Sequence, residues 1–190
     1  TPVLVDVYED DFTINVEAVR AAITSKTKAI VPVHLFGQCA NMDELMELSK
    51  EHDLFIIEDN AQAIGSKYHS KTGARPMAGT IGHVGATSFF PSKNLGAYGD
   101  GGALFTNDDD LAHTLRGIVN HGMYKRYHHD VVGVNSRLDS LQASVLSAKL
   151  PYLDDYNHRR RAAARAYNKA LANTPFVTLP ITVTDCENVC

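Results

Sequence analysis

"LFIIEDN", residues 54–60, decides how this chain is read. Four apolar residues run into two acids and an amide. That is the pattern of a buried strand that breaks into polar residues at its carboxyl end. Side chains alternate along a strand, so Phe55, Ile57 and Asp59 share one face, and Ile56 and Glu58 the other. Only one of the two neighbouring acids can therefore face a given site. In an open α/β sheet, ligands bind beyond the carboxyl ends of strands. Asp59 is a candidate on that ground, against the plainer alternative of a solvated strand end or helix cap.

Strand-like and helix-like runs alternate outward from this point. "PVLVDV" (2–7) reads as a strand, followed by Asn15 and a helix carrying Val16, Val19 and Ile23. "AIVPVHLF" (29–36) is apolar and β-branched, the pattern of a buried strand. Asn41 with Glu44 forms a capping-box start for a helix with Leu45, Met46 and Leu48. Beyond 54–60 come "SKYH" (66–69), "HVGATSFF" (83–90) and "GGALFTN" (101–107) as strands. Asn107 or Asp108 then caps a helix with Leu111, Leu115 and Ile118. Residues 120–135 read as loop. Ser136 with Asp139 predicts a helix over 136–149, and Pro151 opens another over 151–172. The alternation predicts an α/β fold of three layers, α/β/α, around a mostly parallel mixed sheet. "NTP" (173–175) reads as a boundary, with residues 173–190 opening a second, C-terminal unit.

Composition narrows the function classes. The chain has 190 residues, 44% hydrophobic and 21% charged, enough for one sizeable core. A net charge of −4 carries no broad nucleic-acid footprint. No run is long enough to span a membrane, and no signal-peptide pattern is present. Three cysteines, Cys39, Cys186 and Cys190, do not make a disulfide framework, and a reducing cytoplasm is the expected setting. The chain opens on Thr1 inside an apolar run and stops at "DCENVC", so it is expected to be an internal piece of a longer protein.

"SFFPSKNLGAYGDGGALFTN" (88–107) carries the second half of the chemistry. Lys93 follows a strand and lies close to Phe89, Phe90 and Pro91. Desolvation there would favour the free amine, the form that makes a Schiff base. An acid at one strand end and an amine beyond another match the needs of pyridoxal phosphate. The acid keeps the pyridine nitrogen protonated, and the lysine binds the aldehyde. Ser88 supplies a hydroxyl for the cofactor phosphate. Gly96, Gly99, Gly101 and Gly102 allow a tight turn, without a GxGxxG or P-loop pattern.

"IEDNAQAIGSKY", "TSFFPSKNLGAYGDGGALFTNDDDLA" and "NHGMYKRYHHDVVGVNSRLDSLQASVLSAKL", in this order, resemble the DegT-type (DegT/StrS) nucleotide-sugar aminotransferases, which are fold type I pyridoxal-phosphate enzymes. The resemblance covers residues 2–172. It implies that 1–172 are part of a cofactor-binding large domain with trailing helices, and that 173–190 begin a truncated small domain. It implies that Lys93 binds the cofactor covalently and shuttles the proton, and that Asp59 holds the pyridinium nitrogen. Gln62 matches the glutamine beside the phenolic oxygen, and Ser88 a phosphate ligand. Asn135 matches an asparagine that reaches the phosphate of the neighbouring subunit's cofactor, which implies a homodimer with shared sites. The family's upstream phosphate loop and ring-stacking aromatic are not in this sequence. Asn60 stands where many relatives have alanine, with no chemical consequence expected.

The reaction so implied moves an amino group from glutamate to a keto-sugar on a nucleotide diphosphate. "FFPSKNLGAYGDGG" resembles relatives that aminate C3. The "RYHH…VGVNSRLD" stretch resembles enzymes acting on a UDP-linked 3-keto-2-acetamido-glucuronate. Three alternatives stand beside it. A sister dehydratase carries histidine in place of Lys93. A regulatory protein could keep the fold without the reaction, against which the set Asp59, Gln62, Ser88 and Lys93 speaks. The fragment alone could be inactive. Lys125, Arg126 and Tyr127 are either a contact for the sugar-nucleotide diphosphate or a solvated basic loop. His121, His128 and His129 lack further ligands for a metal site. His34 reads as a satisfied core histidine, "HRRR" (158–161) as a solvated face, and Cys39 as a small buried apolar residue.

Overall fold

The computed structural model describes residues 1–183 and 186–189. Its centre is a four-stranded mixed sheet of β1 (Ala29–Ile30), β2 (Phe55–Asp59), β4 (Val84–Ser88) and β5 (Gly102–Phe105), in that spatial order. The first three run parallel, and β5 runs antiparallel to β4. The α/β class with a mostly parallel mixed sheet is as the sequence predicts. Ile30 and Ile56 lie opposite each other in register and turn to a core built with α1 (Val16–Ala22) and α2 (Met42–His52). Val16, Val19, Met42, Leu45 and Leu48 supply that core from the helices. Asn15 and Asn41 cap these helices, each accepting a backbone N–H from three residues on.

A small antiparallel pair joins β3 (Lys67–Tyr68) to β8 (Cys186–Glu187). It brings Cys186 into the first core beside Cys39, whose thiol is pushed up by its hydrogen bond to Cys186 and by burial. Cys39 is the small buried residue the sequence predicts. A second apolar cluster forms where α4 (Ser140–Lys149) and α5 (Leu153–Leu171) meet the segment after β4. Phe89, Leu95, Ala97 and Leu146 are its buried members.

After α3 (Asp109–Val119), capped by Asp108, the chain makes a hairpin of β6 (Met123–Lys125) and β7 (His128–His129). Its neck is tied by the Asn120–Asn135 bridge and by backbone hydrogen bonds from His121 to Val134 and from Val134 to Ile118. Among the described residues, no helix is long and apolar enough to cross a membrane.

Four expectations of secondary structure need correction. Residues 120–135, read as loop, hold the β6–β7 hairpin. Residues 2–7 are not a strand. They pair only through the Val7–Ile14 bridge, and Val3 and Leu4 are 74% and 92% exposed. A strand needs a neighbour to ladder with, and this run meets none in the described residues. Strand 29–36 shrinks to two residues, because Pro32 has no N–H for the ladder. Contact with β2 resumes through Pro32 and Val33, and 35–37 turn into a 3₁₀ segment. The helix predicted from 136 begins at Ser140, with Asp139 as its N-cap, and the Ser136 N–H is donated to the Val119 carbonyl.

Candidate active site

Parallel strands finish at one edge of a sheet, so β2 and β4 bring Asp59 and Ser88 to the same edge. The antiparallel β5 starts there, with Gly102 opposite Ser88. Register also fixes the faces. Asp59 pairs with Ala86, and Ser88 lies two residues on, so Asp59 and Ser88 share a face. That face is half-open: Ile57, Asp59, Ala86 and Ser88 are all half-buried, while Ile56, Glu58 and Thr87 opposite are buried.

The groups at this edge keep spare hydrogen-bonding capacity. Asp59 Oδ1 accepts the Ala61 N–H at 3.0 Å, and Oδ2 has no partner among the described residues. Ser88 Oγ accepts the Phe90 N–H at 3.2 Å, which leaves its own hydrogen to donate. Gln62 Oε1 accepts the Phe36 N–H at 2.8 Å, which leaves its amide NH₂ to donate. Phe36 itself holds a left-handed φ of 54°. Lys93 is half-buried in a turn closed by its N–H on the Phe90 carbonyl at 2.9 Å. Its ammonium nitrogen has no ion pair or hydrogen bond among the described residues. The turn folds tightly: a Cβ on Gly96 would lie 2.4 Å from the Pro91 carbonyl oxygen.

Glu58, next to Asp59 but facing the core, has no exposed surface. It accepts the N–H groups of Gly79 (2.7 Å), Ile81 (2.7 Å) and Gly82 (2.6 Å), and a bond from His34 Nε2 at 2.8 Å. His34 Nδ1 accepts the Ala40 N–H, so the ring proton sits on Nε2 and points at Glu58. His34 is the satisfied core histidine that was expected. Burial pushes the Glu58 carboxyl up, but the His34 and backbone hydrogen bonds outweigh it and hold the carboxyl below its usual value. A carboxyl depressed on folding stabilises above its unfolded value, about 4.3, and that contribution is lost as pH falls through the lower folded value. Glu58→Gln should therefore cost about 3 kcal/mol at pH 7, by turning an NH₂ toward backbone donors. Urea unfolding of the full-length protein should show that gap narrowing at acid pH; a pH-independent gap would remove the charge from the account.

The remaining candidates sit elsewhere. Asn135 does not open a helix, as the predicted helix 136–149 implied; it lies in the hairpin neck, five residues before α4. It lines a cavity of about 1080 Å³ with Ala86, Gly102, Leu104, Arg116 and Leu138. Asp59, Gln62, Ser88 and Lys93 do not line this cavity. Lys125, Arg126 and Tyr127 are exposed on the hairpin, with the Arg126 guanidinium 4.9 Å from the Tyr127 ring centre. His129 Nδ1 hydrogen-bonds the His121 carbonyl. Among the described residues, no cluster of His, Cys, Asp or Glu is arranged to hold a metal. The "HRRR" face is not wholly solvated, since Arg161 reaches the Asn188 carbonyl and lies 4.0 Å from Glu187. Asn60 is buried, and its Oδ1 has no partner among the described residues. Sequence reasoning gave Glu58 no role, although an acid on the apolar face of a strand was the available signal.

Residues 1–189 match the model of the DegT/DnrJ/EryC1/StrS aminotransferase family. A "pleiotropic regulatory protein" of Geobacillus stearothermophilus is 50% identical over 90% of the chain and 44% of its own length. The dTDP-3-amino-3,4,6-trideoxy-alpha-D-glucose transaminase of Streptomyces venezuelae is 47% identical over all of the chain and 48% of its own length. The crystal structure of S. venezuelae DesV in complex with a ketimine intermediate superposes with a TM-score of 0.92 at 47% identity, covering 100% of this chain and 50% of that one. The chain spans about half the length of the curated relatives it matches. The chain belongs to the DegT/DnrJ/EryC1/StrS aminotransferase family.

Proposed function

We propose that the full-length protein is a pyridoxal-phosphate aminotransferase that moves an amino group from glutamate to C3 of a nucleotide-diphosphate-linked keto-sugar. One observation carries the reading: Asp59 and Ser88 share the half-open face of one sheet edge, with the Lys93 turn directly after it. The donor set fits the cofactor. The unpartnered Asp59 Oδ2 suits a protonated ring nitrogen. The Ser88 hydroxyl suits a phosphate oxygen, and the free Gln62 amide suits a phenolic oxygen. When bound, pyridoxal phosphate supplies a carbonyl that takes up an amine and a ring that accepts the electrons of a broken C–H bond.

The chain's own residues do the rest. Lys93 Nζ would hold the cofactor through its aldehyde. Freed by the incoming donor amine, it would take the α-proton of the amino donor and give it up again within the same half-reaction, then run that transfer in reverse to place a proton on C3 of the sugar. Asp59 Oδ2 would accept a hydrogen bond from the ring nitrogen. Lys93 speaks against the dehydratase alternative.

Partners and setting belong to the same proposal. Asn135 would act on the partner's cofactor phosphate in a cytoplasmic homodimer, and residues 173–190 would begin a smaller C-terminal unit. The hairpin residues Lys125, Arg126 and Tyr127 would meet the sugar-nucleotide diphosphate.

The name of the S. venezuelae relative supports a 3-amino product. The base, uracil or thymine, is decided by assay. Full-length protein with glutamate should aminate UDP- or dTDP-linked 3-keto-sugars in preference to 4-keto-sugars, and should sediment as a dimer. The name of the G. stearothermophilus relative supports a regulatory reading instead. Cofactor binding without amination of any keto-sugar would favour that reading.

A further inference from the structure

Helix α5 is mostly exposed, and its one fully buried residue is an amide, Asn157. Asn157 Nδ2 donates to the Ile64 carbonyl at 3.1 Å, and Oδ1 accepts from Asn94 Nδ2 at 2.7 Å. Ile64 lies two residues beyond Gln62, and Asn94 is next to Lys93. One planar group thus bridges the two loops that carry the candidate site. The fit is close on the Ile64 side. Gly65 has φ +94°, and a Cβ there would lie 2.4 Å from Asn157 Nδ2. A second tie runs from Lys149 Nζ of α4 to the Gly96 carbonyl in the same lysine turn.

We infer that Asn157 is a positioning residue: it sets the placement of the Lys93 turn relative to the Gln62 loop, and so of the amine relative to the cofactor. The inference rests on the reading of Lys93 and Gln62 given above. The site demands one donor and one acceptor from a single short side chain. Asparagine supplies both, while aspartate has no donor and leucine neither. Holding α5 in place does not require the amide. Leu153 of α5 already packs on the cluster of Phe89, Leu95, Ala97 and Leu146. The buried hydrogen bonds act instead on the loops, where a small displacement of a reacting group is costly.

The test uses the full-length protein, with and without cofactor. In cofactor-free protein, Asn157→Ala should raise amide hydrogen exchange about tenfold in both 62–66 and 93–97, with little change in β2 or β4. With cofactor, kcat should fall about tenfold while KM for glutamate changes less than about threefold. Asn157→Asp keeps the acceptor, so it should loosen 62–66 more than 93–97. Asn94→Ala should loosen 93–97 alone, and adding it to Asn157→Ala should give no further loosening there. Unchanged exchange in both loops would overturn the inference. So would a uniform rise with kcat per folded molecule unchanged, which is the mark of a purely structural residue. If Asn157→Ala does not fold, Asn94→Ala decides: no local rise at 93–97 sinks the inference. Loss of the Lys93 reading shows separately, as cofactor still trapped covalently in Lys93→Ala.

Discussion

Full-length Lys93→Ala should lose essentially all turnover, together with the covalent adduct that borohydride fixes between protein and pyridoxal phosphate. The expectation rests on placement. Lys93 is the lysine in the turn at the edge that holds Asp59 and Ser88, and its ammonium has no competing partner among the described residues. Salt bridges hold Lys67 and Lys71 elsewhere, and Lys149 binds the Gly96 carbonyl. In this reading Lys93 is the reacting amine, so the expected fall is many orders of magnitude rather than a graded loss. Peptide mapping after reduction should find the adduct on residue 93 in the native protein and nowhere in the variant. An adduct of undiminished yield in Lys93→Ala would move the reaction to another amine.

Asp59→Asn should preserve shape and remove charge. A charge-assisted hydrogen bond to the ring nitrogen becomes a neutral one, weakening cofactor binding by about 1–2 kcal/mol, or roughly tenfold. Turnover should fall further, by about a hundredfold, because an electrostatic partner matters most where charge develops. The fold should survive, since the Ala61 N–H can still bond the remaining carbonyl oxygen. Unfolding and turnover measured on the same preparation separate the two effects. Native turnover in Asp59→Asn would take this residue out of the mechanism.

Much of this arrangement was legible before any coordinates. Strand alternation alone separates Asp59 from Glu58, and the sheet register confirms it: Asp59 turns to the half-open face and Glu58 to the core. Apolar periodicity finds α2 and α3, and their asparagine and aspartate caps mark the starts. Contacts between distant residues were not legible. Glu58 is held by backbone groups 21 to 24 residues away, and Asn157 bridges residues 63 and 93 positions from it. Local pattern carries no signal for such pairs. The run 2–7 shows the opposite error. Its apolar content fits a strand, but a strand exists only with a neighbour.

The tied neck of the 120–135 hairpin separates tolerance from constraint. At the neck, a methyl on Gly133 would sit 2.1 Å from the Gly122 nitrogen, and Gly122 has φ +74°. Side chains are excluded there on both counts. Beyond the neck, residues 124–132 are exposed. Because the ends are already clasped, lengthening the tip adds only closure entropy, about 0.6 kcal/mol for each doubling of the loop. The hairpin is therefore a socketed module: its tip can change in length and side chains while the clasp and the sheet edge stay as they are.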